Sequence, residues 1–158
     1  MAFTAFWYIN AFEAAFNKEI DFLTDDIAVS LHTVTYVPNQ DTHDYFNDLT
    51  NQLATANGYT AEDGAGAGFS LAGKTHANTL NVSTFDATDP QWTSSGAGFT
   101  ARIAVVTDVT PGTAATDPLL MWMDFGQNET ASGGGTFTIA LHATGLATLT
   151  AVDATGFP

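Results

Sequence analysis

The chain contains no cysteine. That removes disulfides, thiolate catalysis, zinc–thiolate centres and iron–sulfur clusters together. Basic residues are almost as scarce. Lys18, Lys74 and Arg102 stand alone against 17 acidic residues, for a formal net charge of −14 over 158 residues. A phosphate backbone is repelled by such a chain, so direct nucleic-acid binding is not expected. An anionic membrane surface is disfavoured for the same reason. A long apolar run is also missing. The greasiest stretch, MAFTAFWYINAFEAAF (1–16), is interrupted by Asn10 and Glu13 and falls short of the ~20 apolar residues that span a bilayer. It has no basic leading region and no A-x-A cleavage site, so it does not read as a targeting signal.

Motifs that carry chemistry are absent too. His32, His43, His76 and His142 are scattered and form neither H-x-x-x-H nor H-E-x-x-H. There is no G-x-S-x-G elbow and no phosphate-binding loop. GAGAGF (64–69) fails as a dinucleotide fingerprint because Phe69 holds the last position and no strand–helix unit surrounds it. The carboxylate clusters Asp25-Asp26, Asp41…Asp44, Glu62-Asp63 and Asp86…Asp89 lie in turn-rich text without the spacing of a calcium loop. No catalytic, metal or cofactor residues are therefore expected. Trp92, Trp122 and most phenylalanines sit in strand contexts and read as core. Exposed aromatics, or loop carboxylates around a cleft, would instead suit a carbohydrate-binding module or a hydrolase domain.

What the chain does have is 45% hydrophobic residues, enough to bury a real core at this length. Ile9, Phe12, Glu13, Phe16 and Ile20 recur at helical spacing and predict a short amphipathic helix over 9–18, with Asn10 as its cap. Residues 27–37 alternate as a strand, with Ile27, Val29 and Leu31 opposite Ala28, Ser30 and His32. Residues 42–56 suit a second short helix. Further strands are expected around 69–75, 78–85, 99–109, 119–126, 136–142 and 146–152, with a flexible glycine-rich loop before the first and a tight HATG turn (142–145) before the last. About seven strands at this spacing predict a mainly β domain over 1–158. The expected form is an antiparallel β-sandwich, jelly-roll-like, with one or two short N-terminal helices.

A run of motifs then points to a family. NKEID (17–21), DIAV (26–29) and YVPNQDTH (36–43) are followed in order by GYTA (58–61) and LAGKT (71–75). Trp92, FTAR (99–102), IAVV (103–106), DFG (124–126), TFTI (136–139) and ATG (143–145) complete the series. The chain resembles, from about residue 10 to 152, a family of small structural proteins of tailed bacteriophages. The resemblance implies a non-enzymatic virion protein, a capsid decoration or cement protein made in the host cytoplasm and placed on the outer surface of the head. Its partners would be the major capsid protein and neighbouring decoration subunits, as a monomer or a homo-oligomer such as a trimer. A tail, neck or fibre component is the alternative. Residues 1–8 precede the resemblance. Phe3, Phe6, Trp7 and Tyr8 form either an aromatic arm that docks on a neighbour or the capsid, or an edge strand in the protein's own core.

Overall fold

A computed structural model describes residues 3–151; residues 1–2 and 152–158, which end the expected strand 146–152 and begin segment 1–8, lie outside the described residues. The fold is mainly β and antiparallel. Five strands make the largest sheet: β1 (Thr4–Trp7), β2 (Ile27–His32), β3 (Phe69–Ser70), β7 (Phe99–Asp108) and β8 (Leu119–Ala131), in the order β1-β8-β7-β2-β3. Three more, β4 (Thr75–Thr79), β5 (Val82–Asp86) and β10 (Ala147–Thr150), form a second sheet in the order β10-β5-β4, and β6 (Gln91–Thr93) pairs with β9 (Thr136–Thr138). The arrangement is sandwich-like. In place of the two comparable sheets of a jelly roll it has one dominant sheet and two small ones.

The alternation in β2 explains how the layers form. Ile27, Val29 and Leu31 join Ala104, Val106, Met121, Met123 and Phe125 on one face of the main sheet. Trp92, Phe137 and Phe85 from the small sheets close over that face. The opposite face carries Ile103, Val105 and Leu119, packed with Tyr8 and Tyr36. All six residues of β2 are consequently buried. A strand covered on both faces can hold polar groups only if they are bonded, and Ser30 and His32 bond each other.

Several expectations are corrected in detail. The helix, α1, runs Asn10–Phe16, with Ile9 rather than Asn10 at the cap position and no side-chain cap bond. It buries Ala11 and Ala14, while Phe16 is 87% exposed. The apolar stripe read from spacing therefore does not all face inward. The second helix reduces to a 3-10 turn over Phe46–Asp48. There the Asp48 carboxylate accepts from the Asp44 and Tyr45 N–H groups and holds the turn closed. β2 stops at His32 because Thr33 opens a turn, its carbonyl accepting from the Tyr36 N–H. NTLNVSTF is the end of one strand and the start of the next, with Leu80-Asn81 as the two-residue turn between Thr79 and Val82. Expected strand 69–75 splits at Gly73 (φ 62°) into β3 and the start of β4. Strand 136–142 is short, and 119–126 extends to Ala131. The HATG turn is present, closed by the Gly145 N–H on the His142 carbonyl at 2.7 Å.

Candidate functional site

The aromatic N-terminal segment is folded in as the outermost strand of the main sheet. β1 pairs with β8 in the register Thr4↔Asp124 to Trp7↔Met121. The Tyr8 N–H reaches the Leu120 carbonyl at 3.1 Å. By strand alternation Phe6 and Thr4 also turn their main-chain groups toward β8, and those of Ala5 and Trp7 point away from the sheet. Among the described residues, that outer edge has no partner strand. Beside it lies a groove of about 370 Å³, lined by Phe3, Ala5, Phe6 and Trp7 on one side and by His142 and Thr144–Thr148 on the other.

The four aromatics have different fates. Phe3 and Trp7 pack against the main core from its margin, and Trp7 meets Phe12 and Phe85 at 5.4 and 6.0 Å between ring centroids. Phe6 is 37% exposed and stacks on Trp122 at 4.3 Å. The Trp122 indole N–H is buried without a hydrogen-bond partner. Tyr8 is fully buried. Its hydroxyl bonds that of Tyr36 at 2.8 Å, and Tyr36 in turn bonds His43 Nδ1 at 3.0 Å. Burial pushes the Tyr8 phenol far up, and pushes that of Tyr36 up to about 12, partly offset by the bond to Tyr8. So three of the four residues reach the groove, and Tyr8 serves the protein's own core.

One pair has the outline of catalytic machinery. The Ser30 hydroxyl lies 2.9 Å from His32 Nε2, and His32 Nδ1 lies 2.8 Å from the Thr50 carbonyl. The carbonyl only accepts, so Nδ1 carries the proton and Nε2 accepts from Ser30. Both side chains are sealed inside the sheet. Burial depresses the His32 pKa to about 4, against a small opposing effect of the Thr50 carbonyl. No substrate reaches this pair; its role is to satisfy two polar groups in a doubly covered strand.

Several of the carboxylates in the loop clusters are used by the backbone. Glu62, only 3% exposed, accepts from the N–H groups of Asp63, Gly64 and Gly66 through Oε1 at 3.0, 3.0 and 3.1 Å. Its Oε2 accepts from Gly68 at 3.0 Å. The glycine-rich loop is thus wound round a buried carboxylate. Positive φ at Gly64 and Gly66 lets the glycine N–H groups converge on it, while those of Ala65 and Ala67 turn to Asp63. Asp89 accepts from the Leu141 N–H, Asp86 from Ala87 and Asp21 from Leu23. Asp108 and Asp117 are buried at the two ends of loop 109–117, each with one carboxylate oxygen unpartnered. Burial raises both of their pKa values, Asp108 further through Asp25 beside it. Among the described residues no three His, Asp or Glu side chains come together to hold a metal ion. No helix among them is long and apolar enough to cross a membrane. The one ion pair among the described residues joins Arg102 and Asp124 at 2.5 Å, partly exposed, where β8 bulges between Asp124 and Glu129 opposite β7. Lys74 donates to the Asp25 carbonyl.

These uses of acidic residues were not legible in the sequence. Only the coincidence of Glu62 with three following glycines hinted at one. Comparison of the chain with family models, curated proteins and solved structures finds no match.

Proposed function

We propose that the protein is a non-enzymatic virion component of a tailed bacteriophage that binds the outer surface of the head and stabilises the shell, with the major capsid protein as its partner. The ordered motifs between residues 10 and 152 support the phage assignment. The observation that carries the binding role is the open outer edge of β1 beside its aromatic groove. An extended segment of a shell subunit entering that groove would pair with the outward main-chain groups of Ala5 and Trp7, while Phe3, Phe6 and Trp7 supply apolar contact. This is strand addition, in which the backbone gives affinity and side-chain pockets give specificity.

Each added main-chain bond contributes roughly 0.5–1.5 kcal/mol net, and apolar burial about 25 cal/mol per Å² before association costs. A single contact of this kind is modest. Repetition over a lattice makes many such contacts act together. Segment 1–12 carries no charged residue, so the edge docks without desolvating ions, and the acidic remainder keeps densely placed copies soluble.

The test is sedimentation of purified protein with heads that lack it. Wild-type protein is expected to travel with the heads and raise their resistance to heat. Ala5→Pro, which removes one outward N–H from an exposed edge position, should fold normally and lose most of the binding. Binding to isolated tails and not to heads would overturn the head assignment in favour of a tail or neck component. Undiminished head binding by Ala5→Pro would overturn the role of β1.

A further inference from the structure

β4 is another edge strand among the described residues, and it differs from β1 in exposure and in sequence. All five residues of β4 are exposed, so the strand is open on both faces as well as along its outer side. Its partner β5 is only half-buried. At the turn, Leu80 is 99% exposed and held at φ 55°, a left-handed conformation that a bulky side chain disfavours. An open, uncovered edge of this kind is usually blunted by lysine, proline or an inward charge. None of these lies within Thr75–Thr79. Residues 75–85 contain no Asp, Glu, Lys or Arg. In the whole three-stranded sheet the one charged residue is Asp86, at the end of β5.

The occupant is indicated by charge and by pattern. Two copies of a chain carrying −14 repel each other over most of their surface, and approach is least opposed where charge is missing. The strand reads Thr75-His76-Ala77-Asn78-Thr79. Laid antiparallel to a second copy about a two-fold axis at Ala77, it sets Thr75 opposite Thr79, His76 opposite Asn78 and Ala77 opposite Ala77. Threonine pairs and polar pairs that bond each other are favoured cross-strand neighbours.

The main-chain parity agrees. The two-residue turn makes Thr79 and Val82 the hydrogen-bonded pair of the hairpin. By alternation Thr75, Ala77 and Thr79 bond β5, and the N–H and C=O groups of His76 and Asn78 point outward. In the two-fold arrangement those outward residues face each other, giving about four main-chain hydrogen bonds between copies. A pairing displaced by one residue would oppose outward groups to inward ones.

We propose that β4 is a self-association edge: two copies join antiparallel about Ala77 into a continuous six-stranded sheet, an isologous contact. This goes beyond capsid binding and does not depend on it.

The test is sedimentation equilibrium of the purified chain alone, up to about 1 mM because so few bonds give weak affinity. Wild-type mass should rise with concentration from 16.6 kDa toward twice that value. Ala77→Asp and Ala77→Lys place like charges on the axis and should each stay monomeric. Their equimolar mixture should recover the dimer, which shows that both variants are folded. Asn78→Pro, which removes an outward N–H, should also be monomeric. A wild-type chain that stays monomeric throughout overturns the proposal. So does unchanged dimerisation of the Ala77 variants, or a mixture that fails to pair. Head binding through β1 is unaffected by any of these results, so the two readings fail separately.

Discussion

The five-stranded and three-stranded sheets differ both in residue type and in burial: the inner strands of the first are rich in Ile, Val, Leu and Met, the strands of the second in Thr, Ser and Asn. In the first, β2 is buried along its whole length and the inner part of β7 nearly so. Apolar residues occupy both faces; of the buried polar residues, Ser30 and His32 are bonded to each other, while Thr107 Oγ1 and one oxygen of Asp108, at the end of β7, have no partner. In the second, β4 buries nothing and β5 is intermediate at every position. Burial is concentrated in the inner strands of the five-stranded sheet, while the three-stranded sheet ends in a fully exposed strand, β4. Acidic residues follow the same division. They cluster in the connections around the main sheet, and leave β4 and β10 uncharged.

That contrast can be broken by substitution. Leu31 is fully buried within the main core, so Leu31→Ala is expected to cost about 3 kcal/mol in urea unfolding. Thr79→Ala, on β4, should change stability by less than about 0.5 kcal/mol. Comparable losses would mean that the small sheet carries as much of the stability as the large one.

A pH titration probes the main sheet from inside. The folded His32 ring stays neutral down to about pH 4, whereas the unfolded ring protonates near 6.5. Between those values the unfolded chain binds more protons, so stability is complete above 6.5 and falls as the pH drops toward 4. The loss from this group reaches roughly 3 kcal/mol. Chemical denaturation at a series of pH values should show this slope in the wild type and not in His32→Asn. An identical slope in the variant would exclude His32 as its source.

The two loops give smaller effects of opposite sign. Glu62→Ala leaves four N–H groups without their carboxylate and is expected to cost about 2 kcal/mol. Amide exchange at Gly64–Gly68 should accelerate most; unchanged exchange there would show that the loop is held by something else. Leu80→Asn should stabilise the chain by about 0.5 kcal/mol, because Asn tolerates the left-handed turn conformation better. A loss of stability on this change would show that Leu80 makes contacts the turn geometry does not reveal.

The β class and the main strands were legible because alternation survives wherever a strand has distinct faces, as in Ile27–His32. The 78–85 stretch misled because a two-residue turn made of Leu80-Asn81 lacks the glycine that marks such turns. The helix lies where the spacing places it, but only part of the stripe faces inward: Phe12 and Ile20 pack, whereas Ile9 and Phe16 are exposed. The sequence of segment 1–8 suits an arm or an edge strand, and Thr4–Trp7 is a strand whose neighbour, β8, lies more than a hundred residues away. No local pattern encodes that pairing. Nor could composition reveal that Glu62 faces inward, because an acidic residue beside glycines is ordinarily a solvated loop.

Whether the chain coats a phage head is read most directly from the composition and outer-shell density of purified virions that contain it. A decoration protein is expected in fixed proportion to the shell subunits, with density on the outer surface of the head and β1 at the contact. A copy number matching a single tail or neck ring, or a head surface without that density, would contradict it.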